Sequence, residues 1–235
     1  MKRVNTFGVV GMILLNSSVA HAGLTYYANR SDFNTAEPGL PLQSFDSANL
    51  FNQPYVVFGS PLNSATSDGV FGPGDILPGL AISTLNPGLT STALIAYGGG
   101  PVGTKSVGNN WFGDTLVLSF APGVSAVAED VFGNTSNGPS FAGPITEEVF
   151  DGSVSLGSKT LSEAAGGQIF FGVSSSTQPI TSIQLSWGGD GDATTYVSSI
   201  AFGSPAPEPN VYFLMTAGLV TLRGIAGRRS KKILV

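Results

Sequence analysis

The chain has 235 residues, a length typical of one main domain. Charged residues make up 11% of it, cysteine is absent, and the only histidine is His21. Without cysteine, the chain cannot form a disulfide, a thiolate nucleophile or a cysteine–zinc site. Residues 23–204 carry three basic side chains against 14 acidic ones, a formal charge of −11. This balance argues against nucleic acid as a partner, because phosphate neutralisation needs lysine and arginine.

The first 22 residues have the layout of a secretory signal peptide. A basic start precedes an apolar run over residues 7–15, and small side chains follow at Ala20 and Ala22. This order predicts cleavage by signal peptidase between Ala22 and Gly23. The apolar run is shorter than the ~20 residues that span a bilayer, and a short membrane anchor is the alternative. Because His21 lies in this segment, histidine-dependent triads and metal sites are excluded from the exported chain.

Residues 23–204 show short apolar or alternating runs separated by glycine, proline, asparagine, aspartate and serine. Runs in which every second residue is apolar, such as Leu116/Leu118/Phe120, predict strands with one buried face. Twelve strands are predicted in this way, at Thr25–Tyr27, Leu42–Asp46, Tyr55–Gly59, Leu80–Thr84, Ala93–Tyr97, Thr115–Phe120, Val124–Phe132, Glu147–Phe150, Val154–Lys159, Gln168–Ser174, Ile180–Trp187 and Tyr196–Phe202.

One short helix is predicted near residues 29–36, ending before Pro38. No long stretch of residues 23–204 has the helical period, and parallel strands would need crossover helices that the sequence does not offer. The predicted fold of residues 23–204 is therefore all-β, an antiparallel β-sandwich or jelly roll.

Residues 205–235 form a separate C-terminal segment. Residues 205–209 read Pro-Ala-Pro-Glu-Pro, a stiff linker, and the apolar residues 211–222 predict a short hydrophobic helix. Arg223 interrupts the apolar stretch, and the basic cluster at residues 228–232 favours a cytoplasmic end. A permanent tail anchor is one interpretation of this arrangement.

The other interpretation rests on a resemblance. The triad Pro207-Glu208-Pro209, the Leu-Met-x-Ala-Gly-Leu sequence at residues 214–219 and the terminal basic cluster resemble the PEP-CTERM sorting signal of Gram-negative bacteria. The resemblance implies export, transient anchoring in the inner membrane and cleavage near the triad by an exosortase. The product would reach the cell surface or an exopolysaccharide matrix.

The domain is also similar to the exported domain common among PEP-CTERM proteins. Thr25-Tyr26-Tyr27, Arg30-Ser-Asp-Phe33 and Phe45-Asp46 correspond to its opening strand, short helix and second strand. The closing strand, residues 198–203, lacks the acidic residue of the usual Asp-Asn-Val-x-Phe-Gly pattern. The resemblance implies a fold like that of jelly-roll lectin and carbohydrate-binding modules.

The acidic residues offer one kind of catalytic chemistry. Two carboxylates across a cleft can hydrolyse a glycosidic bond without histidine or cysteine. Adjacent strand residues point to opposite faces, so Glu129 paired with Glu147 or Glu148 is the conceivable arrangement. Solvated strand edges are the favoured interpretation of the carboxylate groups, which are Glu129/Asp130, Glu147/Glu148/Asp151 and Asp190/Asp192.

A glycine-rich loop contains Asp190 and Asp192. Carboxylates spaced in this way supply the hard oxygen ligands that suit calcium, which is the only cofactor suggested. The favoured interpretation is a tight turn, in which glycine and aspartate serve for their backbone tolerance.

Four aromatic residues are candidates for stacking against sugars: Trp111, Phe112, Trp187 and Tyr196. Trp111 lies in a loop flanked by glycines, and its amide neighbours Asn109 and Asn110 would suit a glycan. The alternative for Trp111 is a ring folded into the sandwich. Trp187 is assigned to the core by its alternation with Ile183 and Leu185.

Three functions remain open. The favoured one is a non-catalytic exported protein of the cell surface or exopolysaccharide matrix, with extracellular polysaccharide as a candidate ligand. The alternatives are a carboxylate-dependent glycan hydrolase or lyase on the same scaffold, and a self-associating structural or adhesive matrix protein.

Overall fold

The computed structural model describes residues 23–85, 94–99, 103–135, 143–162, 167–188 and 193–204, the side chains of residues 134 and 135 excepted. The predicted signal peptide and the predicted C-terminal linker and helix lie outside these ranges. Within the ranges, no helix is long and apolar enough to cross a membrane.

Two antiparallel sheets make up the domain. The first contains β1 (Leu24–Tyr27), β2 (Leu42–Ser44), β3 (Tyr55–Phe58), β6 (Leu94–Tyr97), β7 (Ser106–Asn109), β9 (Ala126–Thr135), β12 (Ile169–Ser175) and β14 (Ala193–Gly203). The second contains β4 (Leu62–Asn63), β5 (Leu80–Thr84), β8 (Leu116–Val124), β10 (Pro144–Asp151), β11 (Val154–Ser162) and β13 (Ile180–Trp187).

The strands pair mostly with partners that are distant in sequence. The first sheet runs β1-β12-β9-β14-β7-β6-β3, with β2 also paired to β14, and the second runs β11-β10-β13-β8-β5-β4. All of these pairs are antiparallel. The prediction of an all-β antiparallel sandwich is therefore confirmed for the part of the chain that is described.

The core lies between the two sheets. One large cluster of buried apolar side chains contains residues from both, among them Val131 and Phe171 of the first sheet and Leu118 and Ile183 of the second. These side chains alternate with more exposed ones along their strands, as the period of a strand requires. All described buried apolar side chains fall between residues 33 and 202, so residues 23–204 contain all of the core that is described.

The single described helix, α1 (Arg30–Ala36), covers part of the outer face of the first sheet. Asn29 caps it, since its side-chain oxygen accepts a hydrogen bond from the Asp32 N–H at 3.0 Å. Phe33 is fully buried and packs edge-on against Tyr27 and Phe170, with ring centroids 5.3 Å and 6.2 Å away. The predicted helix near residues 29–36 is confirmed.

Most predicted strands are present, and the differences have local causes. The bounds of β5 and β13 agree with the prediction, whereas Asp46 lies in a turn beyond β2. Two strands, β4 and β7, were not predicted. The first has only two residues, and the second, Ser-Val-Gly-Asn, contains residues of low strand propensity. Strand β7 forms because it pairs with the longer β14.

Candidate functional site

An exposed loop of residues 110–115, here called the aromatic loop, joins β7 to β8 at one end of the sandwich. Trp111 and Phe112 are adjacent in it and are 45% and 47% exposed. Leu85 is 53% exposed and belongs to the same end, because its backbone N–H donates to the Thr115 carbonyl at 3.0 Å. Of the two alternatives for Trp111, the structure shows the exposed ring.

Asn109 fixes the base of the aromatic loop. It is the last residue of β7 and is fully buried. Its amide nitrogen donates to the carbonyls of Trp111 and Asp114, and its side-chain oxygen accepts from the Thr195 N–H of β14 at 2.8 Å. The amide is therefore committed to the backbone rather than available to a glycan, and Asn109 acts as a positioning residue.

The loop is also closed by its own backbone. The Asp114 N–H donates to the Trp111 carbonyl, and the Gly113 N–H donates to Ala193 of β14, both at 3.3 Å. Gly113 has φ +73°, a conformation that favours glycine. Because backbone and side-chain bonds hold both ends of the turn, Trp111 and Phe112 are presented by an ordered backbone. Asn110, the third residue proposed to contact a glycan, is partly exposed at the start of this loop.

Three further aromatic rings lie on the outer face of the first sheet. Tyr196 stacks on Phe132 with centroids 5.2 Å apart, and Tyr97 tilts against Tyr196 at 5.6 Å. Gly108 of β7 makes room for this packing, since a Cβ there would stand 2.7 Å from the Tyr196 ring. Tyr196 is buried by these contacts, so it presents no open face for a sugar.

Sequence reasoning missed two further exposed aromatic side chains, Phe51 and Tyr55. They are 54% and 52% exposed. Tyr55 pairs with Tyr97, and Tyr97 pairs with Ser106, the first residue of β7. The aromatic loop follows the last residue of β7. Tyr55 therefore lies towards the end of this strand that is opposite to the aromatic loop, and it does not form one site with the loop.

The candidate carboxylate pair is inside the sandwich. Glu129 of β9 and Glu147 of β10 are both fully buried, which corrects the expectation of solvated strand edges for these two residues. Their neighbours behave differently: Asp130 forms an ion pair with Arg30, and Glu148 accepts a hydrogen bond from the Ser155 hydroxyl at 2.7 Å. Adjacent carboxylates thus point to opposite faces of each strand, as predicted.

Burial determines the protonation of both glutamates. It raises the pKa of Glu147 to about 8, with Lys159 acting in the opposite direction. Burial also holds the pKa of Glu129 well above its ordinary value; Glu147 and Asp130 add to this effect, and Arg30 opposes it. Because neither carboxyl group is exposed, a glycan cannot reach the pair in this conformation.

The candidate calcium ligands cannot be placed. Asp190 and Asp192 lie outside the described residues. The predicted sorting triad, Pro207, Glu208 and Pro209, and the predicted cleavage residues Ala20 and Ala22 also lie outside them. Among the residues that are described, no group of three or more acidic, histidine or cysteine side chains could hold a metal ion.

Comparisons with known proteins return only distant structural likenesses. No protein-family model matches the chain, and no curated protein matches it. A family 6 carbohydrate-binding module is 15% identical with a TM-score of 0.31, over 62% of this chain and 93% of that one. A mutant of a family 29 module is 13% identical with a TM-score of 0.34, over 64% and 93%.

A third similar structure is the CBM22-1 xylan-binding domain of Xyn10C from Paenibacillus barcinonensis. It is 13% identical with a TM-score of 0.31, over 72% of this chain and 97% of that one. TM-scores this low carry no argument about what this chain binds. The assignment of a function therefore depends on the side chains of the chain itself.

Proposed function

We propose that residues 23–204 form a non-catalytic, exported domain that binds polysaccharide through the aromatic loop. The observation that carries the proposal is the pair of adjacent, half-exposed rings, Trp111 and Phe112, on a loop fixed by the buried Asn109. Exposed aromatic residues on an ordered loop are a common device for ligand binding, because little conformational entropy is lost when the ligand arrives.

The chemistry of the loop favours a sugar. Aromatic faces carry partial negative charge and attract C–H groups, which line the apolar faces of pyranose rings. The loop has no cationic residue, and its one acidic residue, Asp114, is buried. A neutral polysaccharide therefore fits this surface better than an anionic one does.

The burial of Glu129 and Glu147 favours binding over hydrolysis. A glycosidase needs two carboxyl groups that flank the scissile bond. Here the only inward-facing carboxylates described are enclosed between the sheets. The hydrolase or lyase alternative would require a different pair, and self-association as a matrix protein remains the second alternative.

Export and sorting belong to the same proposal. The signal peptide would direct secretion, and the Pro207-Glu208-Pro209 triad would direct transient membrane anchoring and exosortase cleavage. The released domain would then bind polysaccharide at the cell surface or in the extracellular matrix of a Gram-negative bacterium. The order of these sequence segments supports this proposal.

The test is a pull-down of residues 23–204 with insoluble neutral polysaccharides and with the host's own matrix. It is run with calcium and with chelator, the supernatant is assayed for released sugars, and sedimentation measures self-association. Retention without sugar release supports the proposal. Loss of retention with chelator would indicate that binding needs calcium, for which Asp190 and Asp192 are the candidate ligands. Sugar release favours the enzyme. Self-association without retention favours the structural matrix protein.

A further inference from the structure

The two buried glutamates occupy facing positions in the middle of the sandwich. Glu129 lies between the core residues Val127 and Val131 along β9, and Glu147 lies between Ile145 and Val149 along β10. These strands belong to opposite sheets. Both side chains are completely enclosed, a position in which glutamate is rarely found without a partner.

Neither carboxyl group has a hydrogen-bond partner that would stabilise a negative charge. All four carboxyl oxygens lack a hydrogen bond among the described residues, and the buried Tyr26 hydroxyl near Glu147 also lacks one. Burial in such surroundings disfavours an ionised carboxylate far more strongly than a protonated one. Two ionised carboxylates would in addition repel each other across the interface.

The charged and titratable groups around the pair are too few to offset that cost. Glu129 is influenced by Arg30 of α1 and by Asp130, which already pair with each other. Glu147 has Lys159 as its cross-strand partner on β11, but the Lys159 ammonium lies over the Tyr26 ring, 5.4 Å from its centroid. Neither cation forms an ion pair with a buried glutamate.

We infer that the protonation of Glu129 and Glu147 controls how tightly the two sheets pack against each other, and we call this pair the latch. The sandwich is fully closed while both carboxyl groups are protonated, and it loosens when they ionise. The domain would thus be most stable in mildly acidic surroundings and would open in alkaline ones.

The sign of the effect follows from proton linkage. In the unfolded chain both groups ionise near their ordinary pKa of 4.5, while in the fold the pKa of Glu147 is about 8 and that of Glu129 is also raised. Their stabilising contribution is complete below pH ~4.5 and is lost as the pH rises through the folded-state pKa values. In this window the folding equilibrium constant falls about tenfold per pH unit for each retained proton.

The test is the pH dependence of urea unfolding of residues 23–204 between pH 4.5 and 9. The variants are Glu129→Gln, Glu147→Gln and the control Glu148→Gln, whose side chain faces the other side of β10. Wild type and the control should lose at least tenfold in folding constant per unit between pH 5 and 8. In each of the other two variants, this loss per pH unit should be about tenfold smaller, because one fewer carboxyl group retains a proton on folding.

Three results would overturn the latch. One is a wild-type folding constant that changes less than threefold across the range, and a second is a Glu147→Gln slope equal to that of the control. Rescue at pH 9 by calcium would also overturn it, since the pair would then be an ion site.

Measurements on wild type keep the inference testable if the variants fail to fold. Infrared spectroscopy at pH 7 should show the C=O stretch of protonated carboxyl groups in the folded protein. Amide hydrogen exchange in β9 and β10 should accelerate from pH 7 to 9 beyond its intrinsic increase, relative to β5. A fully ionised spectrum at pH 7, or equal acceleration in all three strands, would contradict the latch.

Discussion

Replacing Asn109 by alanine should loosen the aromatic loop and destabilise the domain. The substitution removes the acceptor of the Thr195 N–H and the donor to the Trp111 and Asp114 carbonyls. The Trp111 carbonyl keeps its bond from the Asp114 N–H, so the main losses fall on Thr195 and Asp114. At ~1–3 kcal/mol for each buried group that loses its bond, we expect a loss of about 2–6 kcal/mol in the free energy of unfolding.

Asn109→Asp is the sharper variant because it keeps the shape of the side chain. It replaces the donating amide by an oxygen that faces two carbonyls, and it buries a negative charge. At neutral pH this variant should be less stable than Asn109→Ala. The deficit should shrink as the pH falls, since a protonated carboxyl group can again donate to one carbonyl.

The assay is urea unfolding of residues 23–204 followed by circular dichroism, with wild type measured at each pH. Asn34→Ala and Asn34→Asp are the matched controls, because Asn34 is exposed on α1 and should tolerate both changes within ~0.5 kcal/mol. If both Asn109 variants also stay within ~0.5 kcal/mol of wild type, the amide does not hold the loop and the reasoning is refuted.

Two other predictions concern the helix and the C-terminal segment. Phe33→Ala should cost about 3–5 kcal/mol in urea unfolding, because the ring is fully buried under the helix; a loss below ~1 kcal/mol would mean that α1 contributes little to the domain. Glu208→Gln should leave the protein uncleaved in the membrane fraction of a host with the sorting enzyme, as detected by immunoblot, whereas normal release would count against the Pro-Glu-Pro triad as the sorting signal.

The regular part of the fold could be predicted because its periods are visible in the sequence. A short apolar run predicts the bounds of β5, and alternation predicts those of β13. The Arg30-Ser-Asp-Phe33 segment before Pro38 predicts the helix. Strand β7 could not be predicted, because Gly108 and Asn109 are poor strand formers in isolation. They are held there by pairing with β14, a strand more than 80 residues away in sequence. The Tyr196 ring packs so closely against Gly108 that a larger residue would not fit there.

The buried glutamates show a different limit. The alternation of Val127, Glu129 and Val131 places Glu129 on the buried face of its strand, and Ile145, Glu147 and Val149 do the same for Glu147. The general preference of carboxylates for water outweighs this local signal in a sequence-based interpretation. Whether the two side chains face each other depends on how the two sheets pack together. No local sequence pattern specifies that packing.

The sequence groups Trp111, Asn109 and Asn110 as candidate glycan contacts, but it does not distinguish their structural roles. Trp111 was expected in a loop with two amide neighbours, and exposure of its ring could not be derived from local sequence. Asn109 counts among the candidate ligand contacts because its amide is close to Trp111 in sequence. Its bonds to both ends of the turn and to Thr195 become visible only once β7 and β14 are paired.

The most direct test of the central claim is the affinity of Trp111→Ala for the polysaccharide that retains wild type. A half-exposed tryptophan that gives up ~80–100 Å² of surface to a sugar contributes about 2 kcal/mol, which corresponds to a factor of about 30. The account predicts a loss of that size for Trp111→Ala. It predicts unchanged affinity for Tyr55→Ala, a comparably exposed ring towards the other end of β7. Equal affinity of wild type and Trp111→Ala would contradict it.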